Sequence, residues 1–284
     1  MAIYRDADIE ANSGKGAAHE NFPVASRLVS RALRPHFLAY YAFARATDDI
    51  ADCPDLAADA KIFRLTAFRD VLEGRATGLG KAEALRRSFA QTGVPVARGS
   101  DLITAFLQDA RQARYRSYAD LVGYCRFSAN PVGRFLLDLH GENPAHYPAS
   151  DALCTALQIL NHLQDMGDDL KRLDRVYLPQ DWLAAAGASE ADLRKSRLSP
   201  GLRAVTDRLL DEVDALLAAT APLTTRLRSR HLAAESGTIV TLARRLSSRL
   251  RQGDPLATRV SLSGADFALS LGAGLASSLL RRAA

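Results

Sequence analysis

The 284-residue chain has little of what marks several protein classes. Cysteine is scarce: Cys53, Cys125 and Cys154 are the three, with no C-x-x-C spacing. An odd, scattered set argues against a disulfide framework and a cysteine zinc site, and for a reducing cytoplasm. Long hydrophobic runs are missing too. The most apolar segment, ALSLGAGLASSLL at 268–280, falls short of the roughly 20 residues that a spanning helix needs, which leaves a peripheral membrane contact. The opening MAIYRDADIEANSGKG is polar and charged, so no secretory leader is expected. The one G-x-G, at 78–80, has neither a third glycine nor a preceding strand, so it is no dinucleotide fingerprint. The absence of E-x-x-H pairs argues against a di-iron bundle. Charge of one sign is also limited. The net of +5, from 37 basic and 32 acidic residues, is too mild for nucleic acid and fits an anionic small molecule.

What the chain does have is helical periodicity almost throughout, rich in Leu, Ala and Arg, with 48% hydrophobic residues and few β-branched runs. Pro23 opens one helix, and Pro35 opens another that stops at Pro54. Further helices are predicted at 56–74, 81–91 and 95–110. One long helix over SYADLVGYCRFSANPVGRFLLDLHG should kink or break near Pro131, which lacks a backbone donor. Others fit 148–171, 189–195, 200–219, 222–250 in two pieces, and 263–282, with RVYLPQDWL as an ordered link. No composition shift, repeat or low-complexity tract divides the chain. One all-α domain over 1–284 is the simplest reading, with 1–18 as a flexible N-terminus.

Two acidic helix faces stand out. In ARATDDIAD, Asp48 and Asp52 are four apart and share a face, near a helix C-terminus where the macrodipole disfavours anions. Arg45 offsets part of that repulsion. In NHLQDMGDD, Asn161, Asp165 and Asp169 form a line at i, i+4 and i+8 on a helix whose flanks are apolar. A buried carboxylate must be paired or bound to metal, and hard oxygen donors suit Mg²⁺ shared with substrate phosphates. One such pair alone is more simply a solvated acidic face. Two of them favour a metal bridge to a diphosphate, whose leaving charge the metal neutralises. His162 is next to Asn161 but about 100° around the helix, and it reads as a packed histidine.

These residues resemble the squalene/phytoene synthase family of head-to-head prenyl synthases. DDIAD (48–52) looks like its first aspartate motif, NHLQDMGDD (161–169) like its second, and RVYLP (175–179) like the link that follows. YCRFSANPVG (124–133) takes the place of the family's Y-C-x-x-V-A-G-x-V-G segment. ENFPVASRL (20–28), RYRSYADLVGYCRFSANPVGR (114–134) and GDPLATRVSLS (253–263) resemble the hopanoid-associated hydroxysqualene synthases within it.

The resemblance implies an isoprenoid synthase-type bundle around a central cavity. It implies ionisation of presqualene diphosphate, rearrangement of the cyclopropyl cation, and capture by water. Two or three Mg²⁺ ions would be held by Asp48, Asp52, Asn161, Asp165 and Asp169, with Asp49 assisting and no nicotinamide needed. Arg45, Arg175, Tyr177 and Arg259 would face the diphosphate, with Tyr41 in the pocket and Tyr124 steadying the carbocation. Asn21 and Gln164 stand where many relatives have Ser and Arg, and Asn130 is a candidate to hold the water. Implied partners are a presqualene diphosphate synthase and a hydroxysqualene-reducing enzyme. Within the family, phytoene, dehydrosqualene or squalene synthesis from two prenyl diphosphates is the alternative. Outside it stand a non-catalytic helical scaffold and an all-α nucleotide pyrophosphatase, although the E-x-x-E pairs of the latter are missing from both acidic helices.

Overall fold

A computed structural model describes residues 2–11 and 30–280, with side chains as far as Gly274. Asn21 and the helix start expected at Pro23 lie outside the described residues. The chain divides into two compact units, one comprising residues up to Gln112 with Arg126–Gly141, the other Ala113–Cys125 with Glu142 onward.

In the first unit, strand β1 (Ala2–Ile3) pairs in parallel with β2 (Ala76–Thr77), and a one-turn helix α1 (Asp6–Ile9) follows β1. Ile9 is buried, the Tyr4 amide donates to the Thr77 carbonyl at 2.9 Å, and Asp6 accepts from the Gly80 amide at 3.0 Å. Gly78 makes this pairing possible. Its φ is +101°, and a Cβ there would lie 2.0 Å from the Tyr4 carbonyl oxygen.

Helix α2 (Arg34–Ala51) starts with Pro35 in its first turn, where a missing N–H costs nothing. Its apolar period buries Tyr40, Phe43, Ala46, Thr47 and Ile50. The Lys61 ammonium donates to the Ala51 carbonyl at 2.8 Å, a cation at the negative end of the helix. Around α2 pack α3 (Ala58–Leu72), α4 (Gly80–Thr92) and α5 (Ala97–Asp109), and α7 (Asn130–Leu139) packs on α5. Tyr40 stacks on Phe135 with ring centroids 3.9 Å apart and donates its hydroxyl to the Arg98 carbonyl at 3.0 Å. A pair of this kind adds about 0.5–1.5 kcal/mol beyond its burial. The nearly buried Arg98 closes on Asp138 at 2.7 Å. The long helix expected across Pro131 is two, α6 (Tyr118–Ser128) and α7, broken at Ala129.

In the second unit, α8 (Tyr147–Leu173) packs on α10 (Pro200–Ala218) and α12 (Arg230–Gln252), and α12 packs extensively on α13 (Gly264–Leu280). Short helices α9 (Gln180–Ala185) and α11 (Ala221–Thr225) complete the set. The α12–α13 crossing is close enough that a Cβ on Gly274 would lie 2.2 Å from Thr238 Oγ1. Glu142 accepts from the amides of Arg228 and Ser229 at 2.9 and 2.7 Å, and so satisfies donors at the start of α12. The link RVYLP is a strand, β4 (Val176–Pro179), paired in parallel through an irregular register with β3 (Arg114–Tyr115).

Candidate active site

In the first unit the acids lie at the end of α2. Arg45 spans them, 3.0 Å from Asp49 and 3.8 Å from Asp48, so the offsetting cation read from the sequence is in place. Asp52 is buried and caps the helix through its own amide, which donates to the Asp48 carbonyl at 2.9 Å. Tyr41 is half-buried one turn before Arg45. Asn130, at the start of α7, is buried at the break that Pro131 follows.

In the second unit the line Asn161, Asp165, Asp169 is half-buried along α8. The loop 253–263 lies across this helix like a strap. Arg259 Nη1 donates to Asp165 Oδ1 at 2.7 Å, and Gln164 Nε2 donates to the Val260 carbonyl at 2.6 Å. Gln164 is itself buried, so its amide is committed to the strap. Gly167 leaves room for Leu256, which a Cβ there would approach to 3.0 Å. Beside the strap a cavity of about 570 Å³ is lined by Gln164, Lys171, Arg194, Lys195 and Arg259 with one acid, Asp168. Its cations outnumber its acid, which favours an anionic occupant.

α8 ends with Asp174 in the left-handed region, at φ 51° and ψ 38°. Asp tolerates that conformation better than most residues. The turn delivers the buried Arg175, whose amide donates to the Asp169 carbonyl at 3.2 Å. Next, β4 sets Tyr177 against Tyr115 of β3, rings stacked at 5.5 Å. Tyr124 joins them, 5.3 Å from Tyr115 and 5.4 Å from Tyr177. His162 closes the nest, stacked on Tyr177 at 3.6 Å, with Nδ1 3.8 Å from Asp169 Oδ2. All four rings are buried. The acid line and the aromatic nest are thus one imidazole apart.

Two members of this arrangement were not singled out as site residues in the sequence. Tyr115 sits on a two-residue strand, too short to register as a period. Gln158, one turn before His162, has its Nε2 3.1 Å from His162 Nε2, a contact that only the ring's orientation discloses.

Among the described residues, no three of His, Cys, Asp and Glu converge to form a closed cage for an ion. The donors Asn161, Asp165 and Asp169 are all hard oxygens on one helix face. That set fits Mg²⁺, which is ordinarily held by one or two carboxylates and completed by water and substrate phosphates.

A largely helical chain whose α8 carries a line of hard oxygen donors beside a basic cavity and an aromatic nest has the chemistry of a diphosphate-handling synthase. The chain belongs to the squalene/phytoene synthase family, whose sequence pattern matches residues 16–266, and it is an enzyme of that family. It is similar to a hydroxysqualene synthase of Rhodopseudomonas palustris, 41% identical over 273 residues and covering 96% of this chain and 94% of that one. It is similar to another from Sinorhizobium fredii, 40% identical over 264 residues, with 93% and 90% covered. A crystal structure of a squalene synthase from Alicyclobacillus acidocaldarius superposes with a TM-score of 0.72 at 34% identity, covering 83% of this chain and 89% of that one. The all-α fold expected from the periodicity is borne out.

Proposed function

We propose that this chain converts presqualene diphosphate to hydroxysqualene with release of diphosphate. The observation that carries the reading is the junction on α8, where Asp169 stands 3.8 Å from His162 and His162 stacks on Tyr177 at 3.6 Å. A substrate that loses an anion and leaves a carbocation needs anion-holding chemistry and aromatic faces within a few ångströms of each other. The two named relatives, similar over nearly their whole length, support the same reading.

Asn161, Asp165 and Asp169 would hold Mg²⁺, and Asp48 and Asp52, with Asp49 assisting, are assigned the same donor chemistry. Bound there with the substrate, Mg²⁺ supplies charge neutralisation for the departing diphosphate. Arg45, Arg175 and Arg259 bind diphosphate oxygens through guanidinium N–H groups, which match phosphate geometry. As the carbon–oxygen bond breaks, its electron pair leaves with the diphosphate. The face of Tyr124 is assigned to stabilising the rearranging cation, Tyr177 to the diphosphate side and Tyr41 to substrate binding. Water held by Asn130 then forms the new carbon–oxygen bond, and a proton is released. The buried nest keeps other water away from the cation. Asn21 is assigned to the diphosphate and Gln164 to the strap beside it.

The proposal extends to a cytoplasmic protein resting on a membrane surface. Among the described residues no helix is long and apolar enough to cross a membrane. Leu269 and Leu271 of α13 are exposed and supply an apolar surface. A presqualene diphosphate synthase would hand over the substrate, and a hydroxysqualene-reducing enzyme would take the product.

The test is incubation with presqualene diphosphate and Mg²⁺ in the absence of nicotinamide. Hydroxysqualene is the expected product, and recovery of unreacted substrate alone overturns the reading. Consumption of farnesyl diphosphate in the same assay would instead support condensation of two prenyl diphosphates.

A further inference from the structure

His162 looks like an ordinary core histidine until its two nitrogens are considered separately. The ring is 6% exposed and lies on Tyr177 with an interplanar angle of 14°. Gln158 Nε2 is 3.1 Å from His162 Nε2. An amide N–H can only donate, so His162 Nε2 accepts with its lone pair. A neutral imidazole carries one ring proton, and this contact places it on Nδ1. Nδ1 is buried and makes no hydrogen bond. The nearest carboxylate oxygen is Asp169 Oδ2 at 3.8 Å, beyond the roughly 2.9 Å of a formed bond. A buried donor without a partner calls for an explanation, because the protein gives up its hydration for nothing in return.

We propose that His162 is a positioning residue for Asp169. Its Nδ1–H closes on Oδ2 when a cation occupies the acid line, and so fixes the rotamer that presents the carboxylate. Donors behind a ligating carboxylate commonly act in this way, and losing one typically costs about 10–100-fold in metal affinity. Gln158 acts one step further out by setting the tautomer. Tyr177 fixes the plane of the ring, which couples the aromatic nest to the acid line. This inference rests on the Mg²⁺ and diphosphate reading above, and its test separates the two.

The test uses the full-length protein with Mg²⁺ and inorganic diphosphate, binding being read by calorimetry. His162→Phe keeps a stacked ring and removes the donor. His162→Asn gives up the ring but keeps an N–H near the place of Nδ1. Gln158→Leu leaves both His162 and Asp169 in place and releases the tautomer. The expected result is Mg²⁺ affinity lowered about 10–100-fold in the Phe variant, largely recovered in the Asn variant, and lowered to a lesser degree in Gln158→Leu. Melting temperature and circular dichroism establish that each variant is folded. A folded Phe variant that binds Mg²⁺ like the wild type overturns the inference, as does an Asn variant as weak as Phe. If an Asn variant does not fold, unchanged Mg²⁺ affinity in Gln158→Leu serves as the overturning result. Failure of the wild-type protein itself to bind Mg²⁺ with diphosphate overturns the functional reading, and this inference with it.

Discussion

Arg259 closes on Asp165 at 2.7 Å across 94 residues of sequence, so the strap delivers a guanidinium to the middle of the acid line on α8. The like charges of Asp165 and Asp169, one turn apart, repel by a few tenths of a kcal/mol, and Arg259 offsets this. The same guanidinium also lines the basic cavity beside the strap. It stands where a diphosphate brought to Asp165 would arrive.

Arg259→Ala therefore separates binding from stability. The two side chains are 44% and 22% exposed, so solvent screens the pair, and removing it should cost no more than about 1 kcal/mol in a urea titration. A hydrogen bond to a charged group is stronger, about 1.5–3 kcal/mol, so the KM for the diphosphate substrate should rise roughly 10–100-fold. A large loss of stability with unchanged KM would assign Arg259 to holding the strap alone.

Gln164→Leu addresses the latch. The buried Gln164 amide is a donor to the Val260 carbonyl, and its loss leaves an acceptor poorly satisfied, at a cost of about 1–3 kcal/mol. The strap 253–263 should then become accessible to limited proteolysis while α8 and α10 stay protected. An unchanged cleavage pattern would show that the other contacts, Arg259 with Asp165 and Asp254 with the Leu198 amide at 2.9 Å among them, hold the strap without Gln164.

Much of this was legible in the sequence, and the reason is physical. Helices such as α2 and α8 write their buried face into the chain at a period of 3.6, and prolines mark their starts. The acid lines could be read because four-residue spacing alone puts Asp48 with Asp52, and Asp165 with Asp169, on one face. The strap could not be read this way, since nothing local in GDPLATRVSLS says that Arg259 reaches Asp165. Gln164 illustrates the same point. As a residue on α8 it reads as a missing positive charge, whereas its donor role is fixed by a carbonyl 96 positions away. The β1–β2 and β3–β4 pairs escaped notice because the two-residue β1, β2 and β3 cannot show alternation and β4 is buried at every position, and β3 is what brings Tyr115 to the nest.

The docking of α13 should depend on pH through Asp266. This buried carboxylate is held below the usual carboxylate range, first by the Ser263 backbone amide, then by the Ser263 hydroxyl, with Arg249 and Arg245 adding to the effect. A folded-state pKa below the unfolded one gives stability that is complete above the unfolded value of about 3.9 and is lost as pH falls through the lower folded value. Asp266→Asn should thus be less stable than the wild type at about pH 7, and the two should converge as the pH drops below about 4. Thermal melts across that range check it. A gap that stays constant with pH would mean that the carboxylate's charge contributes nothing to docking.

The break between α6 and α7 bears on the outcome of the reaction. Asn130 is buried at the first position of α7, with Pro131 behind it, so the helix period is interrupted and a carboxamide is held inside the first unit. An amide can both accept from and donate to one water molecule, which an apolar residue cannot do. Asn130→Ala removes those groups with little change in helix propensity at an N-terminal position already started by proline. If Asn130 holds the attacking water, the variant should still release diphosphate at a rate within about tenfold of the wild type, since ionisation precedes capture and the anion-holding residues are intact. Its products should shift from the alcohol toward hydrocarbons formed by proton loss. Gas chromatography of the extracted products, alongside a diphosphate release assay, measures both quantities. An unchanged alcohol fraction would remove Asn130 from the water-holding role and leave the break as a feature of packing.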